Sequence, residues 1–456
     1  MSESRQLHLE SVDPESVRWP QEYEPVVGRS VIEELRRLSR PLQEKSWANV
    51  NSTADGGGVA EMLRGLVPLA RGLGIDSHWH VLQGDEPFFR VTKKFHNMLQ
   101  GKNLPLSLEE IFGAYLGTID ENARRTFITS DLVVIHDPQP AALVMNGVIY
   151  GNMLWRCHID TSGPQEIVWR FLLPYINHCA GAIFTMPEFV GTGLQIPVYQ
   201  IQPAIDPLCE KNRERTLEES QDTLDALFEQ EGIDMERPIL AAVSRYDIHK
   251  NQATLVRAFA QLKKEHRYDP RPQLVFLGNT ASDDPEGLEV LEDLQKLADG
   301  DPDIFFFVNV PDNDAVVGSL LRVAAGFLHV STREGFGLVV SEALWQGTPV
   351  VGSRVGGIAA QILDGETGRA VDPLDISAIA EAMHELLTGQ ERCVATARKG
   401  KELVRRQFLV TEQMRRYLCL LRYYSHIDRR APEFRLSELT YSEVLGAMRP
   451  RPPYFP

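Results

Sequence analysis

The stretch REGFGLVVSEALWQGTPVVGS, residues 333–353, sets two acids, Glu334 and Glu342, on either side of a glycine-flanked phenylalanine that opens an apolar helical pattern. Gly335 and Gly337 allow backbone to approach a ligand closely. A helix mouth near Leu338 offers unpaired N–H groups and partial positive charge, which suit phosphate. Glu334 falls in the loop before that mouth, and Glu342 about one turn inside the helix. One acid can then face a group on one side of a bound phosphate, and the other a group on the opposite side. A nucleotide sugar has that form, and carboxylates bind vicinal hydroxyls well because they accept charge-assisted hydrogen bonds. A bland alternative, an exposed loop acid and a solvated helix acid, is equally open from this stretch alone.

A second constellation is VSRYDIHKNQ, residues 243–252, where Arg245 and Lys250 flank a strand-to-helix turn. A fork-shaped guanidinium and a point-charge ammonium complement a diphosphate whose negative charge grows as a sugar departs. Either cation alone reads better as part of a solvated turn. Together they matter because the 456-residue chain carries a formal charge of −16, so an anionic ligand needs local cations. That charge disfavours nucleic acid as a partner, since binding it requires a basic face. Five scattered cysteines, Cys157, Cys179, Cys209, Cys393 and Cys419, show no CxxC spacing, which suggests a reducing, cytoplasmic setting and no zinc knuckle. The opening MSESRQLHLESVDPE has no apolar core, and no apolar run approaches the roughly 20 residues that span a bilayer.

The elements that must position these residues follow from the hydrophobic pattern. After a polar leader of about forty residues, short apolar runs alternate with helical periodicity, the mark of βα units around parallel sheets. SWANVNS (46–52) reads as a strand, GGGVAEMLRGLVPLARGLG (56–74) as a glycine loop entering a helix, and DSHWHVLQG (76–84) as the next strand. DLVVIHDPQP (131–140) and GAIFTMPEF (181–189) add further strands. A clearer ladder runs from Pro238, through strands in ILAAVSRY, PQLVFLGN, DIFFFVN, GFLHVS and PVVGSRV. The fold class is therefore α/β, with two doubly wound, Rossmann-like domains and a ligand site expected in the cleft between facing sheets. The predicted division is 1–205 for an acceptor-side domain with its leader and 206–424 for a nucleotide-sugar domain. A Pro-rich tail, 425–456, is expected to pack back on the first domain. The hinge is placed near Pro203 to Pro207, followed by an extra charged helix.

VSRYDIHKN, followed about ninety residues later by REGFGLVVSEALWQGTPVVGSRVGGI, resembles the retaining glycosyltransferases of family four, which have the GT-B fold and an E-x7-E element. In the first half VNSTADGGGVAEMLRGLVPLARGLG, FFRVTKKFHNMLQG, VIHDPQPAAL and WRCHIDTS are similar to the trehalose glycosyltransferring synthases, relatives of the trehalose phosphorylases. The resemblance runs from about Ser46 to about Tyr424. It implies that Arg245 and Lys250 bind the donor diphosphate, Glu334 the donor glucose hydroxyls and Glu342 the ribose. The amides near Gly337 and Leu338 would hold the distal phosphate, Gly335, Phe336 and Val339 would belong to the same donor-binding segment, and Gly56, Gly57 and Gly58 would let backbone close on the sugar. His158 in WRCHID matches a histidine that such enzymes place near the reacting carbon. His136, Asp137 and Gln139 end a strand and are candidates to line an acceptor pocket, with a helix-capping Asp as the alternative. His96, Asn97 and Gln100 are weaker acceptor-side candidates, equally readable as one face of an amphipathic helix.

Other chemistries fit less well. A dinucleotide fingerprint fails because GGGVAE puts Glu61 where a glycine or alanine belongs, and no Walker A sequence is present. His78 and His80 in HWH share a strand face but lack an evident third metal ligand. DGDPD (299–303) has acid-x-acid spacing but falls in a turn. No metal site and no tightly bound cofactor are expected, with Mg2+ considered only as a non-essential activator. The expected partners are a nucleoside diphosphate glucose, glucose and trehalose, with a homodimer open. The expected reaction is reversible, retaining glucosyl transfer from ADP- or UDP-glucose to glucose. A trehalose phosphorylase using orthophosphate, a catalytically idle nucleotide-sugar sensor and, more distantly, a sugar epimerase are the alternatives.

Overall fold

Near-continuous apolar runs such as LVVI (132–135) and ILAAV (239–243) have the composition of strands buried on both faces, and each becomes a central strand of a sheet. The computed structural model describes residues 9–14, 17–279 and 285–425. The chain divides into two units, Met1–Ala204 with Leu409–Pro456, and Ile205–Phe408.

The first unit is built on seven strands: β1 (Glu10–Val12), β2 (Ser46–Asn51), β3 (Asp76–Val81), β4 (Ile128–His136), β5 (Ile149–Cys157), β6 (Gly181–Phe184) and β7 (Val198–Gln200). Their spatial order is β1-β3-β2-β4-β5-β6-β7. Every neighbouring pair is parallel except β1, which runs antiparallel to β3 at the edge. Strand order reverses at β2 and β4, so the chain leaves the carboxyl ends of these two strands in opposite directions and opens a crevice there. Trp155, Phe88, Phe95 and Tyr115 fill the core on one side of the sheet.

Two segments depart from the sequence-based expectation. The leader is not uniformly polar: helix Arg29–Ser39 buries Ile32, Leu35 and Leu38 while Arg29, Glu33, Arg36 and Arg37 are exposed and Glu34 lies 3.9 Å from the buried Arg415. Helix Val410–Ser425, which the 206–424 assignment put in the second domain, belongs to the first unit. It packs against helices Arg29–Ser39 and Gly58–Gly72 and against β4, and buries Met414, Tyr417, Leu418, Leu420 and Leu421. Helical periodicity identifies an apolar face but does not say which core receives it. From residue 426 onward the Pro-rich tail lies outside the described residues.

The second unit carries β8 (Ile239–Val243), β9 (Gln273–Gly278), β10 (Ile304–Val308), β11 (Gly326–His329), β12 (Val350–Ser353) and β13 (Arg369–Val371). They lie in the order β10-β9-β8-β11-β12-β13, all parallel. This is a doubly wound Rossmann arrangement whose reversal falls between β8 and β11. The charged helix expected after the hinge is Leu217–Glu231. Thr216 caps it by accepting from Glu219 N at 3.1 Å, and Gly232 ends it in the left-handed region at φ 76°. No helix among the described residues is long and apolar enough to cross a membrane.

Because Leu420 is fully buried in the first unit, Leu420→Ala should destabilise the protein by about 2–5 kcal/mol through lost burial and a residual cavity. Urea unfolding monitored by tryptophan fluorescence would read this as a lower midpoint. An unchanged midpoint would show that the helix contributes nothing to the core it covers.

Candidate active site

In the second unit the polar groups converge where β8 and β11 end side by side. After β8 the chain makes a one-turn 3-10 helix, Ile248–Lys250, started by Asp247, whose carboxylate accepts from His249 N at 2.8 Å. Asn251 closes the turn at φ 58° and donates through Nδ2 to Val330 O (3.1 Å) and Pro373 O (2.7 Å), tying it to the segment that follows β11. This brings Lys250 Nζ to 2.5 Å from Glu334 Oε2. The same oxygen receives His329 Nε2 at 2.9 Å and Ser331 Oγ at 3.2 Å. Burial pushes the Glu334 carboxyl upward, but Lys250 and His329 outweigh it and hold the group well below the usual carboxylate range. Burial lowers His329, which is therefore neutral and donates its Nε2–H to the carboxylate. Arg245 is exposed, on the other flank of the turn.

Glu334 opens directly onto the helix mouth. Gly337 sits at φ 77°, and a Cβ there would come 3.2 Å from Glu334 Cγ, so this position favours glycine twice over. Helix Leu338–Gln346 begins at once, with Val339 in its first turn. The preceding loop of Gly335 and Phe336 is held from beneath by the buried Gln361. Its Nε2 donates to Phe336 O (2.6 Å) and Gly357 O (3.0 Å), while its Oε1 accepts from Ser341 Oγ (2.6 Å). Glu342 is not a solvated helix residue: it is 2% exposed, and its Oε1 lies 3.3 Å from Lys211 Nζ.

In the first unit β2 runs into the glycine turn, where Gly56 and Gly57 take φ 65° and 130° before helix Gly58–Gly72 begins. Arg64, on that helix, donates to Ala54 O at 3.0 Å and pairs with Asp55, bracing the turn. The ends of β4 and β5 join in one hydrogen-bonded cluster. His136 Nδ1 lies 3.0 Å from His158 Nε2, Arg156 Nε also lies 3.0 Å from that nitrogen, and His136 Nε2 lies 3.1 Å from Asn49 Oδ1. Asp137 is not a helix cap. It takes φ 65° and accepts His158 N at 2.8 Å. Burial pushes its carboxyl up to about 7, against the opposing effects of that N–H and of Arg156. Gln139 is half-buried, and its Oε1 finds no partner among the described residues. His96 and Asn97 lie, half-buried, near the end of helix Glu86–Leu99, with Gln100 at its C-cap. Of the acceptor-side candidates, His136, Asp137 and His158 are joined at the ends of β4 and β5, whereas His96 and Gln100 meet through the backbone bond from Gln100 N to His96 O (3.1 Å) that closes their helix.

Sequence reasoning missed His329, Ser331, Lys211, Gln361 and Arg156. Only GFLHVS carried a signal, a polar pair at the carboxyl end of an apolar strand. Among the described residues no group of three His, Cys, Asp or Glu is placed to hold a metal ion, and His78 instead pairs with Asp76 at 2.9 Å.

Comparison with known proteins connects these halves. Residues 49–191 match the family model described as "Trehalose synthase, N-terminal domain", and residues 224–403 match "Glycosyl transferases group 1". A trehalose synthase of Rubrobacter xylanophilus is 40% identical over 401 residues, covering 86% of this chain and 94% of the relative. The chain belongs to the trehalose synthase family. A trehalose phosphorylase of Grifola frondosa is more distant, 28% identical over 81% of this chain and 56% of its own. Among solved structures, an alpha,alpha-trehalose-phosphate synthase (UDP-forming) from Burkholderia vietnamiensis superposes with a TM-score of 0.65 at 17% identity, covering 84% of this chain and 98% of that one. This family member thus has the GT-B fold and is a glycosyltransferase.

The Asp137 assignment has a thermodynamic consequence. A raised carboxyl contributes stability that is fully present below its unfolded pKa of about 3.9 and is lost as pH rises through the folded value near 7. Asp137→Asn keeps an acceptor for His158 N without the charge, so its melting temperature relative to wild type should rise between pH 5 and pH 7.5. A pH-independent difference would return Asp137 to the ordinary carboxylate range.

Proposed function

We propose that the protein transfers glucose, reversibly and with retention of configuration, from a nucleoside diphosphate glucose to free glucose, forming trehalose and the nucleoside diphosphate. The observation that carries this reading is the Glu334 carboxylate, ionised and held by Lys250 at 2.5 Å beside the Gly337 helix mouth. A fixed anion next to a cation and a helix N-terminus suits a ligand with sugar hydroxyls at one end and phosphate at the other. Glu334 accepts from the hydroxyls. Lys250, Arg245 and the N–H groups at the start of helix Leu338–Gln346 meet the diphosphate.

In the transfer, the bond from the sugar C1 to the phosphate oxygen breaks while a bond from C1 to the acceptor oxygen forms on the same face. The proton of the acceptor hydroxyl passes to the departing phosphate oxygen. Lys250, Arg245 and the helix mouth stabilise the charge that develops there, and an acceptor bound beside that phosphate supplies the proximity term. No protein nucleophile is needed. Glu342, through the oxygen not facing Lys211, is assigned to the ribose. Its burial with Lys211 is the one observation that favours a second reading, a trehalose phosphorylase using orthophosphate, which has no ribose to bind.

Incubating the protein with trehalose plus ADP, UDP, GDP or orthophosphate in parallel separates the two. Glucose release with a nucleoside diphosphate, and formation of the matching nucleotide glucose, is the expected outcome and names the base. Release with orthophosphate alone would establish the phosphorylase. Under the first outcome, Lys250→Ala should lower kcat by roughly a hundredfold, the scale of losing one preorganised donor to a developing anion; an unaltered kcat would remove Lys250 from the diphosphate site.

A further inference from the structure

The cluster at the ends of β4 and β5 fixes where the protons of its two imidazoles reside. Arg156 is fully buried, and its guanidinium is held on three sides. Nη1 donates to Tyr417 Oη, Nη2 to Ile201 O at 3.3 Å, and Nε to His158 Nε2 at 3.0 Å. Arginine has no lone pair to offer, so a nitrogen facing Arg156 Nε–H must be unprotonated. His158 Nε2 is therefore bare, and the ring proton of neutral His158 is on Nδ1.

His136 is constrained in turn by His158. His136 Nδ1 faces the bare His158 Nε2 at 3.0 Å, and two bare nitrogens at that distance would repel. His136 carries its proton on Nδ1 and shares the His158 lone pair with Arg156. Its Nε2 then needs a donor. Asn49 supplies one when its amide is turned by 180°, which also gives a partner to the Asn49 Nδ2 that otherwise has none. Burial and the neighbouring Arg156 charge hold both rings neutral, so neither is an imidazolium. His158 is half-buried, and no described residue hydrogen-bonds its Nδ1.

We propose that Arg156 is a positioning residue that locks His158 as the Nδ1–H tautomer, so that the nitrogen His158 offers to a sugar bound at the first unit is a fixed hydrogen-bond donor and not a base. Its one basic nitrogen is already filled by two donors. The acceptor proton must go to the departing phosphate oxygen, as the bond changes above require. This rests on the glucosyl-transfer reading. It adds a role for a guanidinium that is kept out of solvent by Tyr417 and makes no salt bridge to a carboxylate among the described residues.

The test is a long-range 1H–15N correlation spectrum of the 15N-histidine-labelled full chain at pH 7, with the His158 signals assigned by their loss in His158→Asn. The expected result is a bare Nε2 and a protonated Nδ1. A protonated Nε2, or an imidazolium, overturns the proposal. Activity supplies the second arm. Asn places an amide N–H close to where Nδ1–H was, so H158N should stay within about tenfold of wild-type kcat, whereas His158→Ala should lose about a hundredfold. Equal losses in the two variants would restore the base and overturn the donor role. The spectrum is read on the protein alone, so failure of the trehalose reading would appear as no glucose release with the tautomer still as expected. Failure of this inference would appear as a protonated Nε2 in a protein that turns over.

Discussion

A carboxylate removed from water must find its counter-charge inside the protein, and Glu334 finds it in Lys250, which arrives from a different strand. That pairing ties together two loops about eighty residues apart in sequence. It works only because β8 and β11 are neighbours, which the strand order β10-β9-β8-β11-β12-β13 guarantees. Removing either partner would leave a buried charge unpaired, a cost of several kcal/mol. The pair is therefore a constraint on the two loops that carry it. His329, Ser331 and the glycine at 337 are placed around it so that the carboxylate keeps a fixed orientation.

The first unit solves a related problem in the opposite way. Its cluster at the ends of β4 and β5 contains one permanent cation, Arg156, which is surrounded by neutral acceptors: a phenol, a backbone carbonyl and an imidazole. Where the second unit neutralises a charge by pairing it, the first disperses a charge over hydrogen bonds. The result is a pair of histidines held neutral, each with a defined tautomer, at the crevice end of a parallel sheet.

Much of this was legible in the sequence because parallel sheets impose regular grammar. Buried strands read as unbroken apolar runs, helices between them as 3.6-residue periodicity, and polar residues at strand ends as the groups that a parallel sheet gathers along one edge. Glu334, Lys250 and Gly337 declared themselves through the combination of an acid, a cation and a glycine at a helix mouth. What stayed hidden depended on pairings across long separations. Lys211 reaches Glu342 over about 130 residues, and nothing in either segment names the other. Arg156 resembles any arginine in an apolar strand until Tyr417, from the far end of the chain, closes over it. The leader helix Arg29–Ser39 was obscured by its many charges, most of which occupy the face turned away from the core.

The return of helix Val410–Ser425 makes the second unit an insertion within the first. Ile205 and Phe408, the two ends of that insertion, are joined by a backbone hydrogen bond of 2.9 Å. During synthesis the whole of 205–408 leaves the ribosome before the helix that completes the first sheet's packing exists. The second unit has every residue it needs while the first still waits, with β4 and helix Gly58–Gly72 lacking their cover. The order of maturation is thus written into the covalent path: the inserted unit can close early, and the unit that flanks it on both sides is the last to be finished.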